Sequence, residues 1–330
     1  MTGDTLYKKL LDAGYEYFSG VPDSTLAPFI HAIKKEHSKP HNEGGAIAGA
    51  CGYYLATGKT PVVYMQNAGL WNAINPLLSL ARLYDIPMLL IVGYRGEPGK
   101  GDHEAHRIDG DVTKGALDLF GIDYSILWEK KKIEYVKKGI SCLLVPMGLL
   151  EGEKRIERKS EGLSRREAIK CILENIEPGS KIVSSLGYLS RELYDLSEDH
   201  KDHFYCVGAM GHASMVAAEI ARHTDKKVYL LDGDGSAIMH LGALTYIWSQ
   251  KIENLFYIVF NNGCYDSVGG APCIDFKPTL YYILSLDLLK KTIQEKKHNF
   301  IQLYIKPEAI SCGRPVNLID LKSQFMDGLK

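Results

Sequence analysis

The stretch that decides the fold is Val228-Tyr229-Leu230-Leu231-Asp232-Gly233-Asp234-Gly235-Ser236, answered after residues 237–260 by Asn261-Asn262. The asparagines close a second apolar run, Leu255-Phe256-Tyr257-Ile258-Val259-Phe260. Unbroken apolar runs of this length read as strands buried on both faces. The segment between them is long enough for a crossover helix, so the two strands are predicted to be parallel. That arrangement sets Asp234 and Asn262 side by side at the carboxyl edge of a sheet, where open α/β proteins bind ligands. A carboxylate and an amide oxygen suit a hard cation such as Mg²⁺. A third oxygen is available from the backbone of Cys264, just past Gly263. Gly233 and Gly235 free the backbone to approach a diphosphate, and the Ser236 hydroxyl can donate to it.

The rest of the chain repeats the strand–helix alternation. Strands are expected at 17–19, 61–65, 88–92, 141–145, 181–184, 228–231, 255–260 and 300–305. Helices are expected at 45–57, 73–84, 214–223 and 240–250. The fold class is therefore α/β, with two domains, each a mainly parallel sheet flanked by helices. The charged stretch Leu149–Gly162, LLEGEKRIERKSEG, divides the chain nearly in half. It places one domain at 1–150, a linker at 151–162 and a second domain at 163–330.

Composition excludes several classes. Thirty-nine basic residues balance forty acidic ones, which gives no electrostatic footprint for nucleic acid or an anionic membrane. Apolar runs such as Ile86–Val92 are too short to span a bilayer. The start, Met1-Thr2-Gly3-Asp4, lacks the features of a secretory signal. Seven cysteines with no C-x-x-C spacing read as reduced thiols of a cytoplasmic protein. No G-x-G-x-x-G opens a helix after the first strand, which argues against a dinucleotide-binding fold.

Three further segments carry chemistry. Asn42-Glu43-Gly44-Gly45-Ala46-Ile47-Ala48-Gly49-Ala50-Cys51-Gly52-Tyr53 opens a helix on an acid and continues with small residues on every turn. Glu43 then sits where the helix dipole stabilises a negative charge, and the small residues allow close helix packing at an interface. The segment 93–106 is glycine-rich and carries Arg95, Lys100, His103 and His106, a cationic loop suited to a substrate with an extra anionic group. Gly20-Val21-Pro22-Asp23-Ser24 ends the first strand, with Asp23 and Ser24 as caps of the next helix.

These segments in this order resemble the thiamine diphosphate-dependent enzymes, whose cofactor fingerprint is GDG, some two dozen residues, then NN. GVPDS, NEGGAIA, NAINPLLSL, IPMLLIVGYRGEPG, GAMGHAS, GDGS and NNGCYDSVGG narrow the resemblance to its branch of phosphonopyruvate and sulfopyruvate decarboxylases. The resemblance implies that Asp234, Asn262 and the carbonyl of Cys264 hold Mg²⁺. Gly187, Gly208, Met210, Gly233, Gly235 and Ser236 would contact thiamine diphosphate, with Met210 under its thiazolium ring. Glu43 would activate the cofactor through its pyrimidine. Arg95, His106, Asp23 and Ser24 would meet substrate or manage protons, together with Lys100.

The implied reaction is non-oxidative loss of CO₂ from 3-phosphonopyruvate, giving phosphonoacetaldehyde in phosphonate biosynthesis. Sulfopyruvate or another 2-oxo acid is the alternative, and the single-chain arrangement favours the phosphonate. The implied assembly is a homo-oligomer with Glu43 and Asp234 of one site on different subunits. Two stretches look abbreviated against the family pattern. Residues 34–41 (KKEHSKPH) lack the apolar strand that should deliver Glu43, and 276–289 (FKPTLYYILSLDLL) lack a helix, a turn and a strand. If those losses are real, a catalytically silent structural subunit is the alternative of another class.

Overall fold

A parallel sheet whose strands are apolar on both faces needs helices on both sides, and the chain builds this twice. The structure, a computed structural model, describes residues 1–129, 132–153, 161–274, 281–310 and 312–330. It divides into two units, Met1–Ile156 and Glu157–Lys330.

The first unit contains six strands: β1 (Tyr17–Gly20), β2 (Glu36–Ser38), β3 (Val62–Gln66), β4 (Met88–Tyr94), β5 (Asp123–Ile126) and β6 (Ile140–Pro146). They pair in the order β2-β1-β3-β4-β6-β5, all parallel. Around them lie α1 (Gly3–Asp12), α2 (Ala27–Ala32), α3 (Glu43–Thr57), α4 (Asn67–Pro76) and α5 (Glu104–Leu119). Successive side chains of β3 and β4 alternate between two cores. Val63, Met65, Leu90 and Val92 join one, while Val62, Tyr64, Leu89 and Ile91 join the other. This period of two is what parallel strands impose. α4 continues past Pro76 as a widened π-type turn, Leu77–Arg82, so the predicted helix 73–84 is two pieces. Proline has no N–H to continue the ordinary ladder.

The second unit carries β7 (Lys181–Ser184), β8 (His203–Tyr205), β9 (Val228–Gly233), β10 (Leu255–Asn261), the hairpin β11 (Cys264–Tyr265) and β12 (Ala271–Pro272), β13 (Tyr282–Ile283) and β14 (Phe300–Tyr304). Its main sheet has the order β13-β14-β10-β9-β7-β8 and is parallel throughout. Its helices are α6 (Arg165–Asn175), α7 (Tyr188–Leu196), α8 (Ala213–Arg222), α9 (Asp234–Met239), α10 (Gly242–Gln250), α11 (Leu286–Glu295) and α12 (Leu318–Leu329). Tyr229, Leu231, Ile258 and Phe260 face one core, and Leu230, Tyr257 and Val259 the other. No described helix is long and apolar enough to cross a membrane.

Several expectations are corrected. A strand does precede Glu43: β2 lies parallel to β1 with Glu36 opposite Tyr17. A three-residue edge strand needs only one paired neighbour. Its His37 bonds the Tyr64 hydroxyl at 2.5 Å, so no apolar run was required. Edge strands β5 and β8 were missed because they are short and carry polar residues. In the second abbreviated stretch, residues 276–280 lie outside the described residues. The part that follows forms β13 and a helix capped by Ser285, whose side chain accepts from Leu288 N at 3.2 Å. Of the linker, 154–160 lies outside the described residues. Glu151 belongs to the first unit, because its N–H donates to Met1 O and its carbonyl accepts from Gly3 N. Leu163 is likewise tied into the second unit through Tyr304 and Lys306.

Candidate active site

In the second unit, β9 and β10 are neighbours in register, with Gly233 opposite Phe260. The chain leaves both strands at the same sheet edge. Asp234 begins α9 directly after the strand and is buried. Its Oδ1 accepts from Gly235 N at 2.8 Å and its Oδ2 from Gly263 N at 2.9 Å. The expected meeting of the Asp234 and Asn262 segments is thus present. Burial pushes the Asp234 carboxyl up to about 7, against the pull of those two N–H groups; Asp266 and Asp232 add to the rise. A carboxylate this deep, accepting from two backbone amides and with two acids nearby, is short of positive charge.

Asn262 forms a tight turn in which its Oδ1 accepts from Cys264 N at 3.1 Å. Its amide nitrogen donates to Asp266 Oδ2 at 2.8 Å. Cys264 stands opposite Pro272 in the β11–β12 hairpin. One carboxylate, one amide oxygen and one backbone carbonyl are hard-oxygen donor types that would suit Mg²⁺. Among the described residues, no group of three or more His, Cys, Asp or Glu side chains is arranged as a metal cluster.

The remaining predicted cofactor residues surround this edge, with two changes. Ser236 spends its hydroxyl inside the protein: it accepts from Gly211 N at 3.2 Å and bonds the buried Asp232. It therefore fastens the Gly208–Gly211 turn to α9 rather than pointing a donor outward. At Gly235 a Cβ would lie 2.4 Å from the Tyr265 ring, so this glycine makes room for a side chain of its own unit. Gly208 and Gly233 face open space. Met210 is half-buried on the turn, and Gly187, at φ +84°, precedes α7.

In the first unit, Glu43 opens α3 as predicted, with Asn42 as the cap whose side chain accepts from Gly45 N at 2.7 Å. Glu43 is buried, and desolvation raises its pKa despite a bond from the Asn72 amide to Oε2 at 2.7 Å. Burial thus outweighs the stabilisation that the helix terminus offers a negative charge. Gly69 in α4 permits this placement, since a Cβ there would lie 2.6 Å from Glu43 Oε1. Asn72 and Gly69 were not predicted; a polar and a small residue on α4 carry no signal until α3 packs on α4.

Asp23, Ser24 and Arg95 come together. Asp23 is fully buried; its Oδ2 accepts from Thr25 N and Leu26 N, and its Oδ1 from the Gln66 amide at 2.6 Å. It closes the turn before α2 rather than capping that helix, which starts only at Ala27. Ser24 accepts from Arg95 Nη1 at 3.2 Å. The guanidinium of Arg95 is otherwise committed to Asp102, with Nε and Nη2 donating at 2.8 and 2.6 Å. Burial opposes ionisation of Asp102, but Arg95 and the N–H groups of Gly96 and His103 outweigh it and hold the carboxyl far below its ordinary value.

Lys100 pairs with Glu97 at 3.1 Å. The 93–106 loop is consequently not a cationic surface, because its own acids neutralise its bases. His106 lies half-buried in the first turn of α5. Asn67, also unpredicted, is fully buried and brackets Arg95, donating to its carbonyl at 2.9 Å and accepting from its N–H at 3.2 Å.

The N-terminal thiamine pyrophosphate-binding domain of thiamine pyrophosphate enzymes matches residues 1–114, and the C-terminal thiamine pyrophosphate-binding domain matches 190–302. A phosphonopyruvate decarboxylase of Streptomyces hygroscopicus is 32% identical, over 79% of this chain and 73% of that protein. A sulfopyruvate decarboxylase of Methanosarcina acetivorans is 29% identical, over 74% of this chain and 70% of that protein. The beta subunit of a Methanothermobacter thermautotrophicus sulfopyruvate decarboxylase is 39% identical, over 32% of this chain and 57% of that subunit. Because one sulfopyruvate decarboxylase aligns along most of this chain, the single-chain arrangement does not discriminate between the two acids.

Proposed function

We propose an activity for this chain, which belongs to the phosphonopyruvate decarboxylase family of thiamine pyrophosphate enzymes: the non-oxidative decarboxylation of 3-phosphonopyruvate to phosphonoacetaldehyde and CO₂, with thiamine diphosphate and Mg²⁺ bound. The observation that carries the reading is Glu43, a carboxyl kept buried and made harder to ionise on a helix of the unit matched by the N-terminal cofactor domain. Structural acids are normally exposed or paired with a cation. Glu43 has an amide instead, which suits a group that holds and returns a proton.

Bound thiamine diphosphate supplies the electron sink that takes up the charge left by departing CO₂. In this reading the first unit serves its pyrimidine half and the second its diphosphate half. Glu43, whose carboxyl is made harder to ionise by burial, would share a proton with the pyrimidine ring. Asp234, Asn262 Oδ1 and the Cys264 carbonyl hold the Mg²⁺. Met210 would support the thiazolium, and Gly187, Gly208, Gly233, Gly235 and Ser236 are the residues that would line the cofactor site. Arg95, Ser24 and His106 would meet the substrate acid or move its protons, with Asp23 holding the turn that carries Ser24. The chain works in the cytoplasm, in phosphonate synthesis, as a homo-oligomer that brings Glu43 and Asp234 of different copies into one site.

Sulfopyruvate is the second reading, favoured by the likeness to the Methanosarcina protein. The silent-subunit alternative loses one of its two supports, since a strand, β2, precedes Glu43. CO₂ release from each acid, with Mg²⁺ and thiamine diphosphate, tests the assignment. Phosphonopyruvate should turn over faster, and Glu43→Gln should slow it by about 10²-fold or more. Preference for sulfopyruvate moves the assignment to that acid; no CO₂ from either acid rejects the reading.

A further inference from the structure

The second unit holds a buried polar cluster behind the Asn262 turn. Arg165, the first residue of α6, is 4% exposed, and Asp266 is 7% exposed. Arg165 donates from Nε to Glu192 at 2.6 Å, from Nη1 to Asp266 Oδ2 at 3.2 Å and from Nη2 to Glu308 O at 3.1 Å. Asp266 Oδ2 also accepts from Glu308 N at 3.0 Å and from the Asn262 amide at 2.8 Å. One rigid fork thereby joins α6, α7, the turn after β10 and the chain at residue 308.

We propose that Asp266, held in place by Arg165, is a positioning residue that sets which way round the Asn262 amide stands. This rests on the reading of Asn262 as a Mg²⁺ ligand. The oxygen and nitrogen of an amide have nearly the same shape, and a flip would present NH₂ to the cation in place of oxygen. A carboxylate only accepts, and a backbone N–H only donates. Asp266 on one side and Cys264 N on the other therefore select the same orientation. A carbonyl oxygen has two lone pairs; Cys264 N occupies one of the two on Oδ1 and leaves the second for a metal. An ion pair that merely stabilised the fold would be complete with Arg165 and Glu192 and would need no contact with Asn262.

The test is calorimetric titration of Mg²⁺ into the full chain with thiamine diphosphate in excess. Wild type, Asp266→Asn and Arg165→Lys are compared, and the melting temperature of each cofactor-free protein is recorded. Loss of a group that orients a metal ligand costs about 10–100-fold in metal affinity. Asp266→Asn should show that loss, and its cofactor affinity should recover when Mg²⁺ is raised. Arg165→Lys keeps the charge without the fork and should weaken Mg²⁺ binding in the same direction. A lower melting temperature with unchanged Mg²⁺ affinity in the variants overturns the proposal and leaves a structural pair. If Asp266→Asn does not fold, Arg165→Lys decides by the same criterion. Absence of Mg²⁺-dependent cofactor binding in wild type would instead reject the functional reading on which the proposal stands.

Discussion

The amide nitrogen of Asn72 lies 2.7 Å from Oε2 of Glu43. This bond links the first turn of α3 to α4 and gives a buried carboxyl a neutral donor rather than a cation. A cation would have lowered the pKa of the acid; burial opposed by one amide leaves it raised. The pair thus fixes where the carboxyl points without fixing it as a carboxylate.

That arrangement makes Glu43 a cost to folding at neutral pH. Its ordinary value is 4.5 and its folded value is higher. Between the two, the unfolded chain gives up its proton first, so the folded state binds more protons and this group's contribution to stability falls as pH rises. Glu43→Gln keeps the shape and removes the titration. Its melting temperature relative to wild type, in cofactor-free protein, should be more favourable at pH 8 than at pH 4. An equal difference at both values would mean that Glu43 ionises freely in the folded protein.

Gly69 lies where a side chain would displace that carboxyl. Gly69→Ala places a methyl 2.6 Å from Glu43 Oε1. Overpacking of this kind costs about 1–3 kcal/mol, readable by urea denaturation. Turnover should fall as well, because the acid is pushed from its position. A Gly69→Ala protein with wild-type stability and turnover would show that Glu43 has room to move.

A second pH effect belongs to the other unit. His203 in β8 is buried, and desolvation lowers its pKa to about 4, with Asp202 opposing. Between about 4 and the ordinary 6.5 the unfolded chain holds the proton and the folded chain does not. The contribution of His203 to stability should therefore rise with pH across this window, opposite in sign to that of Glu43. Denaturation midpoints taken from pH 4 to 7 should show that slope, and His203→Gln should flatten it. An unchanged slope in the variant would place the acid sensitivity elsewhere.

Much of the scaffold was legible locally. The β9 and β10 runs are apolar on both faces, which only a covered parallel sheet satisfies, and the turns after them carry their ligand chemistry in adjacent residues. Glu43 at the start of α3 was readable for the same reason. The short edge strands β2, β5 and β8 were not, because one neighbour's backbone pairing suffices to form them and polar side chains do not forbid it.

The sequence by itself determined two α/β units, the sheet edge that gathers Asp234 and Asn262, and the acid that opens α3. The tertiary structure alone decided how those groups are held. Asn72 reaches Glu43 across 29 positions, and Arg165 reaches Asp266 across 101. It also decided that the bases of the Arg95 loop answer its own acids and that Ser236 is spent on Gly211. Strand and helix periodicity is a property of neighbours along the chain, whereas hydrogen-bond partners and burial depend on which elements pack together, and no local pattern encodes that.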